Sequence, residues 1–596
     1  MLQNMLKQTI LVAATWLLFM TTRAATADYH VVPLPQTITL AKGKPFVLDE
    51  RTKIVCGSSE ELMRHNARFL AQYVEDVTGQ KMDCVANVPK GEKAIRLAID
   101  HKIVGKEAYR ITVNDRLVTI AGGTAAGVFY GIQTLRKALP VTIDGTGKGQ
   151  TPRVELPAVQ IADAPLLPYR GMMLDCGRHF FPLSFIKRFL DLMALHNMNA
   201  FHWHLSEDQG WRIEIKRYPR LMEIGAWRSG TVVGHNSDVD DHQPHGGYYT
   251  QKEMREVVEY ARQRHIEVIP EIDIPGHTKA MLASYPELGC TGGPYEVGHN
   301  WGVYHDVLCV GNERVYAVLQ DIIDELCQIF PSARFNIGGD EAPSTRWQQC
   351  ERCKAKAKEL GIDAKHLQQY FTKRVEKYIN GKGKTMIGWD EILEGELNPS
   401  TIVLSRRYLS TWSKAAKAGH DVITCPGRYA YFDYYQAKNT LYEPQASATI
   451  CLLSRCTASI HVRTACRRTS HDTSSACKET YGRNMFPPRA GRIHGVATHG
   501  RALRGAMDAC FAQELRRFRG ACHASCPPLR PLWLYLCAAY LARKIQSRQG
   551  RVVACRPYSM PMAYITPISS IVIWATKAAV KPPMVWERMA LPVSSR

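Results

Sequence analysis

Phe335-Asn336-Ile337-Gly338-Gly339-Asp340-Glu341 ends a short apolar run in a glycine pair and two adjacent carboxylates. A strand that stops in paired acids presents them at the mouth of a barrel, where barrel enzymes carry out their chemistry. The two glycines let backbone or substrate approach closely. Outward from this stretch, short apolar strands alternate with helix-length segments. Strands are expected at 171–176, 199–205, 267–272, 334–338, 385–389, 401–405 and 421–425, with helical periodicity at 183–196, 252–264 and 314–329. This alternation, with polar residues gathered after the strands, predicts an α/β fold built on a parallel (β/α)8 TIM-type barrel. Seven strands are found where eight are needed, so the barrel of the chain as written is expected to be incomplete.

Other strand ends carry chemistry too. After the second strand comes Phe201-His202-Trp203-His204-Leu205-Ser206-Glu207-Asp208-Gln209-Gly210-Trp211-Arg212. His202 and His204 stand two apart, on one face of a strand. That spacing also suits zinc in some barrel hydrolases, with His277 as a further ligand, so a metal-dependent amidohydrolase is the competing enzyme reading. The acid-rich stretch with Gln-Gly-Trp-Arg points more toward sugar recognition. Glu271, Asp273 and His277 close the third strand; buried carboxylates are costly unless paired, so these groups imply a polar network aimed into a site. Trp389-Asp390-Glu391 ends the fifth strand, and its tryptophan suits a sugar face or an acetyl methyl.

The flanks divide the chain. Residues 1–27 read as a secretory signal: Lys7, an apolar run from Thr9 to Met20 too short to span a bilayer comfortably, and Ala25-Thr26-Ala27 as a small-residue cleavage site. No stable membrane span is expected elsewhere, and the location is read as secreted or periplasmic. Residues 28–165 have the pattern of a small α/β domain, with strand character at 29–40 and 94–99 and a helix at 60–77. The glycine-rich stretch from Ala121 to Gly131 lacks both phosphate-loop spacings and reads as the packed start of a helix. The barrel occupies 166–445. From Ala446 onward the composition breaks: the tail 446–596 holds 23 Lys+Arg against 5 Asp+Glu, or +18 of the net +21, and 9 of the 18 cysteines. Cys350-x-x-Cys353 could be a redox or zinc pair but has no second pair at ribbon spacing, and a disulfide in an oxidising compartment is favoured over free thiols.

Taken together, these motifs resemble the β-N-acetylhexosaminidases of glycoside hydrolase family 20. The resemblance rests on Arg170-Gly171-Met172-Met173-Leu174-Asp175, the Phe201–Arg212 stretch, Glu271 to His277, Asn336 to Glu341, Gly388 to Glu391 and Tyr431-Phe432-Asp433, across roughly residues 30 to 445. It implies a non-catalytic α/β domain ahead of the barrel, no metal or other cofactor, and glycans ending in N-acetylhexosamine as substrates. Retaining glycosidases commonly use two carboxylates about 5 Å apart, one as nucleophile; this family is the substrate-assisted exception. By the same resemblance Glu341 is the general acid and then base, with a pKa expected near the operating pH. Asp340 holds the acetamide. Arg170, Asp175, His277, Trp389, Tyr431 and Asp433 bind substrate, and His204, Glu271 and Asp273 form the supporting network.

Two departures stand out. Where the family has Ser-Trp-Arg-Gly after the sixth strand, this chain reads Ser405-Arg406-Arg407-Tyr408. The family's Asn-Leu-Trp-x-Glu motif is absent. Yet degenerate back-translation of 477–487 in a shifted frame permits QGNLWAEYVP, and the stretches after Thr449 and Ile493 likewise permit strings similar to the family's C-terminal region. The tail is therefore read as an out-of-frame product, its basic charge carries no nucleic-acid partner, and an inactive, sugar-binding product of a damaged gene is the alternative to an active enzyme.

Overall fold

Apolar alternation in Ala94–Ile99, Tyr109–Val113 and Leu117–Gly122 builds the centre of the N-terminal sheet. In the computed structural model, which describes residues 25–89, 91–139, 154–233, 238–407, 409–431, 433–435, 447–450 and 571–576, these strands belong to a seven-stranded mixed sheet. Helices Glu61–Thr78 and Ala125–Ala138 pack together on it. The glycine-rich stretch is the packed helix start that the sequence suggests. Thr124 caps the helix by accepting the Ala126 N–H at 3.2 Å, and a Cβ on Gly127 would lie 2.3 Å from the Ala108 carbonyl oxygen. The strand expected at 29–40 shrinks to Thr37–Leu40, because Pro33 and Pro35 offer no amide to a ladder.

The barrel follows. Its parallel strands are β1 (Tyr169–Asp175), β2 (Ala200–His204), β3 (Glu267–Glu271), β4 (Arg334–Asn336), β5 (Thr385–Trp389), β6 (Ile402–Ser405) and β7 (Val422–Thr424). Met173, Ala200, Ile269, Ile387, Leu404 and Ile423 fill its interior, while helices such as Leu183–Leu195 and Glu313–Ile329 bury their apolar faces outside. The parallel series stops at seven, as the strand count predicts. The eighth place is taken by β8 (Ile571–Thr576), which runs antiparallel to both β1 and β7, with Gly171 opposite Trp574 and Ile423 opposite Thr576. Two open edges left by a missing strand attract any β-prone segment, and Ile571-Val572-Ile573 is β-branched throughout. The signal segment up to residue 24 and the 477–487 stretch lie outside the described residues. Among the described residues no helix is long and apolar enough to cross a membrane.

Candidate active site

Strand direction decides what reaches the barrel mouth. Asp175, His204, Glu271 and Trp389 are the last residues of β1, β2, β3 and β5, and Asp340 and Glu341 follow β4 by four and five positions. The glycine pair makes that turn possible. Gly338 has φ +64° and Gly339 φ +84°, and a Cβ on Gly338 would fall 2.0 Å from Asp273 Oδ1. Glu341 and His277 themselves sit in the left-handed region, at φ +48° and +52°. Such strain in non-glycine residues gathers at functional sites.

Three linked clusters line the mouth. In the first, one oxygen of Glu271 meets His202 Nε2 and His204 Nδ1, both at 2.5 Å, and its other oxygen accepts the Trp389 indole N–H at 3.2 Å. Burial favours a neutral Glu271, but the two imidazoles hold it below the ordinary carboxylate range. Burial likewise opposes charge on His204, yet Glu271 and Asp175 lift it well above an ordinary imidazole. In the second, His277 Nδ1 lies 3.0 Å from Asp208 and 3.1 Å from Glu207, and its Nε2 lies 3.3 Å from Glu341. Against the opposing effect of burial, Glu207 and the hydrogen bonds to Asp208, Glu207 and Glu341 raise His277 well above its usual value. The third contains Asp273, which accepts the Gly339 N–H at 3.0 Å and is pushed up by burial and by Asp340.

Arg406 lies between Asp340 and Glu341. One of its guanidinium nitrogens is 2.9 Å from Asp340, 2.9 Å from Glu341 and 3.0 Å from Glu391, and its head lies 5.4 Å from the Trp389 ring centre. This overturns the expected Glu341 pKa. The hydrogen bond to His277 comes first and the Arg406 charge reinforces it, so Glu341 is lowered to about 2 despite its burial. Glu391 moves the other way, to about 7, chiefly through burial. Asp433 rises to about 6 for the same reason, and Tyr431, raised by burial, feels the charges of Arg406 and Asp340.

One predicted residue is not brought to the site. Arg170 stands at the start of β1, at the opposite end of the barrel, where it forks onto Glu107 of the N-terminal domain at 2.8 and 3.1 Å and bonds the Asn197 carbonyl at 2.7 Å. The guanidinium from the β1 segment that does reach the mouth is Arg178, three residues beyond Asp175. It bonds Asp175 at 2.6 Å and pairs with Glu207. Its position just after a strand end is the signal that sequence reading passed over. Trp203, Trp211 and Arg212 are core residues rather than sugar contacts; all three are buried, and Arg212 donates to the carbonyls of Cys176, Gly177 and Ala226.

Comparison with known proteins agrees with this layout. Residues 167–484 match the family model "Glycosyl hydrolase family 20, catalytic domain", and residues 28–164 match "Glycosyl hydrolase family 20, domain 2". A beta-hexosaminidase of Porphyromonas gingivalis is 41% identical over 424 residues, covering 70% of this chain and 52% of that protein. One from Vibrio furnissii is 38% identical over 332 residues, 55% of this chain and 53% of its own. The match therefore spans about half the length of these two relatives. Among solved structures, the GH20 β-N-acetylhexosaminidase from Streptomyces coelicolor superimposes with a TM-score of 0.61 at 31% identity, covering 72% of this chain and 81% of that one. These matches favour a glycosidase over an amidohydrolase. With the catalytic-domain match alone running over 167–484 of 596 residues, the chain belongs to glycosyl hydrolase family 20.

Proposed function

We propose that the chain carries the machinery of an exo-acting β-N-acetylhexosaminidase, removing terminal non-reducing β-linked GlcNAc or GalNAc with retention. The observation that carries this reading is the juxtaposition of Asp340 and Glu341 at the barrel mouth, with His277 3.3 Å from Glu341. The names of the matched relatives support it. In the proposed reaction Glu341 protonates the leaving oxygen while the substrate's acetamide oxygen attacks the anomeric carbon. Asp340 holds the acetamide N–H and offsets the developing positive charge. Trp389 walls the acetamide pocket, and Tyr431 bonds the acetamide oxygen. Glu341 then takes a proton from the water that opens the cyclic intermediate.

Arg406 favours a second reading for the chain as written, an inert or weakly binding product, because its guanidinium stands where the acetamide would have to enter. We attribute both this residue and the tail to reading-frame slips. Fresh sequencing of the DNA for 443–596 and the Ser405 region should restore Asn-Leu-Trp-Ala-Glu in frame; an unchanged read would leave the slips in the gene itself. Residues 1–27 are proposed to direct export, and the mature N-terminus should map just after Ala27. The repaired chain should hydrolyse a chromogenic N-acetylglucosaminide, and Glu341→Gln should lower kcat by about 10²–10⁴-fold. A repaired chain that binds substrate and releases nothing would overturn the assignment.

A further inference from the structure

Four cysteines far apart in sequence meet on the flank of the barrel mouth. Cys290 and Cys309 are set side by side by the antiparallel bridge between Gly289 and Leu308 and by the Cys309 N–H donating to the Leu288 carbonyl at 2.8 Å. Cys350 and Cys353 flank the start of helix Glu351–Leu360, in the segment that follows Glu341. The two pieces are drawn together tightly. The Trp347 indole donates to the Leu308 carbonyl at 2.9 Å, and a Cβ on Gly311 would lie 2.3 Å from the Arg352 carbonyl oxygen.

The spacing of the sulfurs is informative. All four lie within 4.8 Å of one another, with Cys290–Cys353 and Cys309–Cys350 at 3.8 Å and Cys309–Cys353 at 3.6 Å. A disulfide would hold two sulfurs about 2.05 Å apart. Four thiolates about 2.3 Å from one tetrahedral zinc stand about 3.8 Å apart along each edge. Cys309, Cys350 and Cys353 are buried and Cys290 is half-buried, as in a closed structural site. The surroundings also suit a cluster of thiolates. Cys350 stands at the N-cap and Cys353 in the first turn of helix Glu351–Leu360, at the positive end of its dipole, and the Gly311 backbone packs against Arg352 and Cys353.

We propose that Cys290, Cys309, Cys350 and Cys353 bind one zinc ion as a structural four-cysteine site. Binding forms four Zn–S bonds and releases the protons the thiols still carry. The ion ties the 290–309 loop to the segment that follows the catalytic pair. That loop packs on the acid network through the Gly298 N–H on the Asp208 carbonyl at 2.8 Å and Gln209 on the Asn300 carbonyl at 2.8 Å. The site is independent of the glycosidase reading, since it depends on no substrate.

The full-length chain, purified without chelator, should contain about one zinc per molecule by elemental analysis, with an X-ray absorption shell of four sulfurs at about 2.3 Å. Cys353→Ser should lose the zinc, while Cys327→Ser, outside the cluster, should keep it. Stripping the metal should lower Tm by about 5 °C or more, reversed by adding zinc. A metal-free chain that takes up no added zinc, a disulfide between any two of the four on peptide mapping, iron in place of zinc, or zinc with fewer than four sulfur ligands would overturn the proposal. Should Cys353→Ser not accumulate, the absorption spectrum of the unaltered chain decides.

Discussion

Arg406 is the residue on which the chemistry of this chain turns. A general acid must be protonated when substrate binds, and a Glu341 near 2 is protonated in only about one molecule in a thousand at pH 5. Arg406→Trp, the residue type that the family resemblance implies, removes a cation from Asp340, Glu341 and Glu391 at once. The prediction is a rise of at least about tenfold in kcat/KM at pH 5, with the alkaline limb of the pH profile moving to higher pH. An unchanged profile would show that His277, not Arg406, holds Glu341 down. Asp340 Oδ1 and Glu391 Oε2, both buried, lack a hydrogen-bond partner among the described residues. Orphaned acceptors at the barrel mouth are what a ligand's N–H or O–H groups would satisfy.

Elements hold these residues in place. Helix Gln251–Arg262, which leads into β3 and so into Glu271, Asp273 and His277, begins with a capping box: Thr250 accepts the Glu253 N–H at 3.2 Å and Glu253 accepts the Thr250 N–H at 2.8 Å. Thr250→Ala should cost about 1 kcal/mol of stability, read as a lowered urea midpoint, and leave the pH profile of activity where it was. The strand ends were legible from sequence because short apolar runs followed by acids define them locally; β5 even spans the expected residues 385–389. The eighth strand was not legible. Its place is set by which edges remain open, a property of the ring rather than of residues 571–576.

Across the whole molecule, the mouth stores opposite charges out of water. Glu207 and Glu271 are held below the ordinary range, so their contribution to stability is complete above about pH 4.3 and lost as pH falls. His204 and His277 are raised, so theirs is complete below about pH 6.5 and lost as pH rises through their elevated values. The urea midpoint should therefore peak between roughly pH 4.5 and 6.5 and decline on the alkaline side. His277→Gln should flatten the alkaline decline; an equally steep decline in that variant would place its origin elsewhere.

Sequence alone determined the class of fold, the adjacent carboxylates at the end of β4 and the break in composition at 446, because periodicity, paired acids and charge are written along the chain. Tertiary structure decided what depends on proximity. It sent Arg170 to the far end of β1 and Arg178 to the mouth, since seven residues of extended strand separate the two ends of a barrel. It set Arg406 among three carboxylates, and it gathered cysteines from a loop and a helix start into one cluster. Those contacts join residues tens of positions apart, and no local pattern encodes the distance between them.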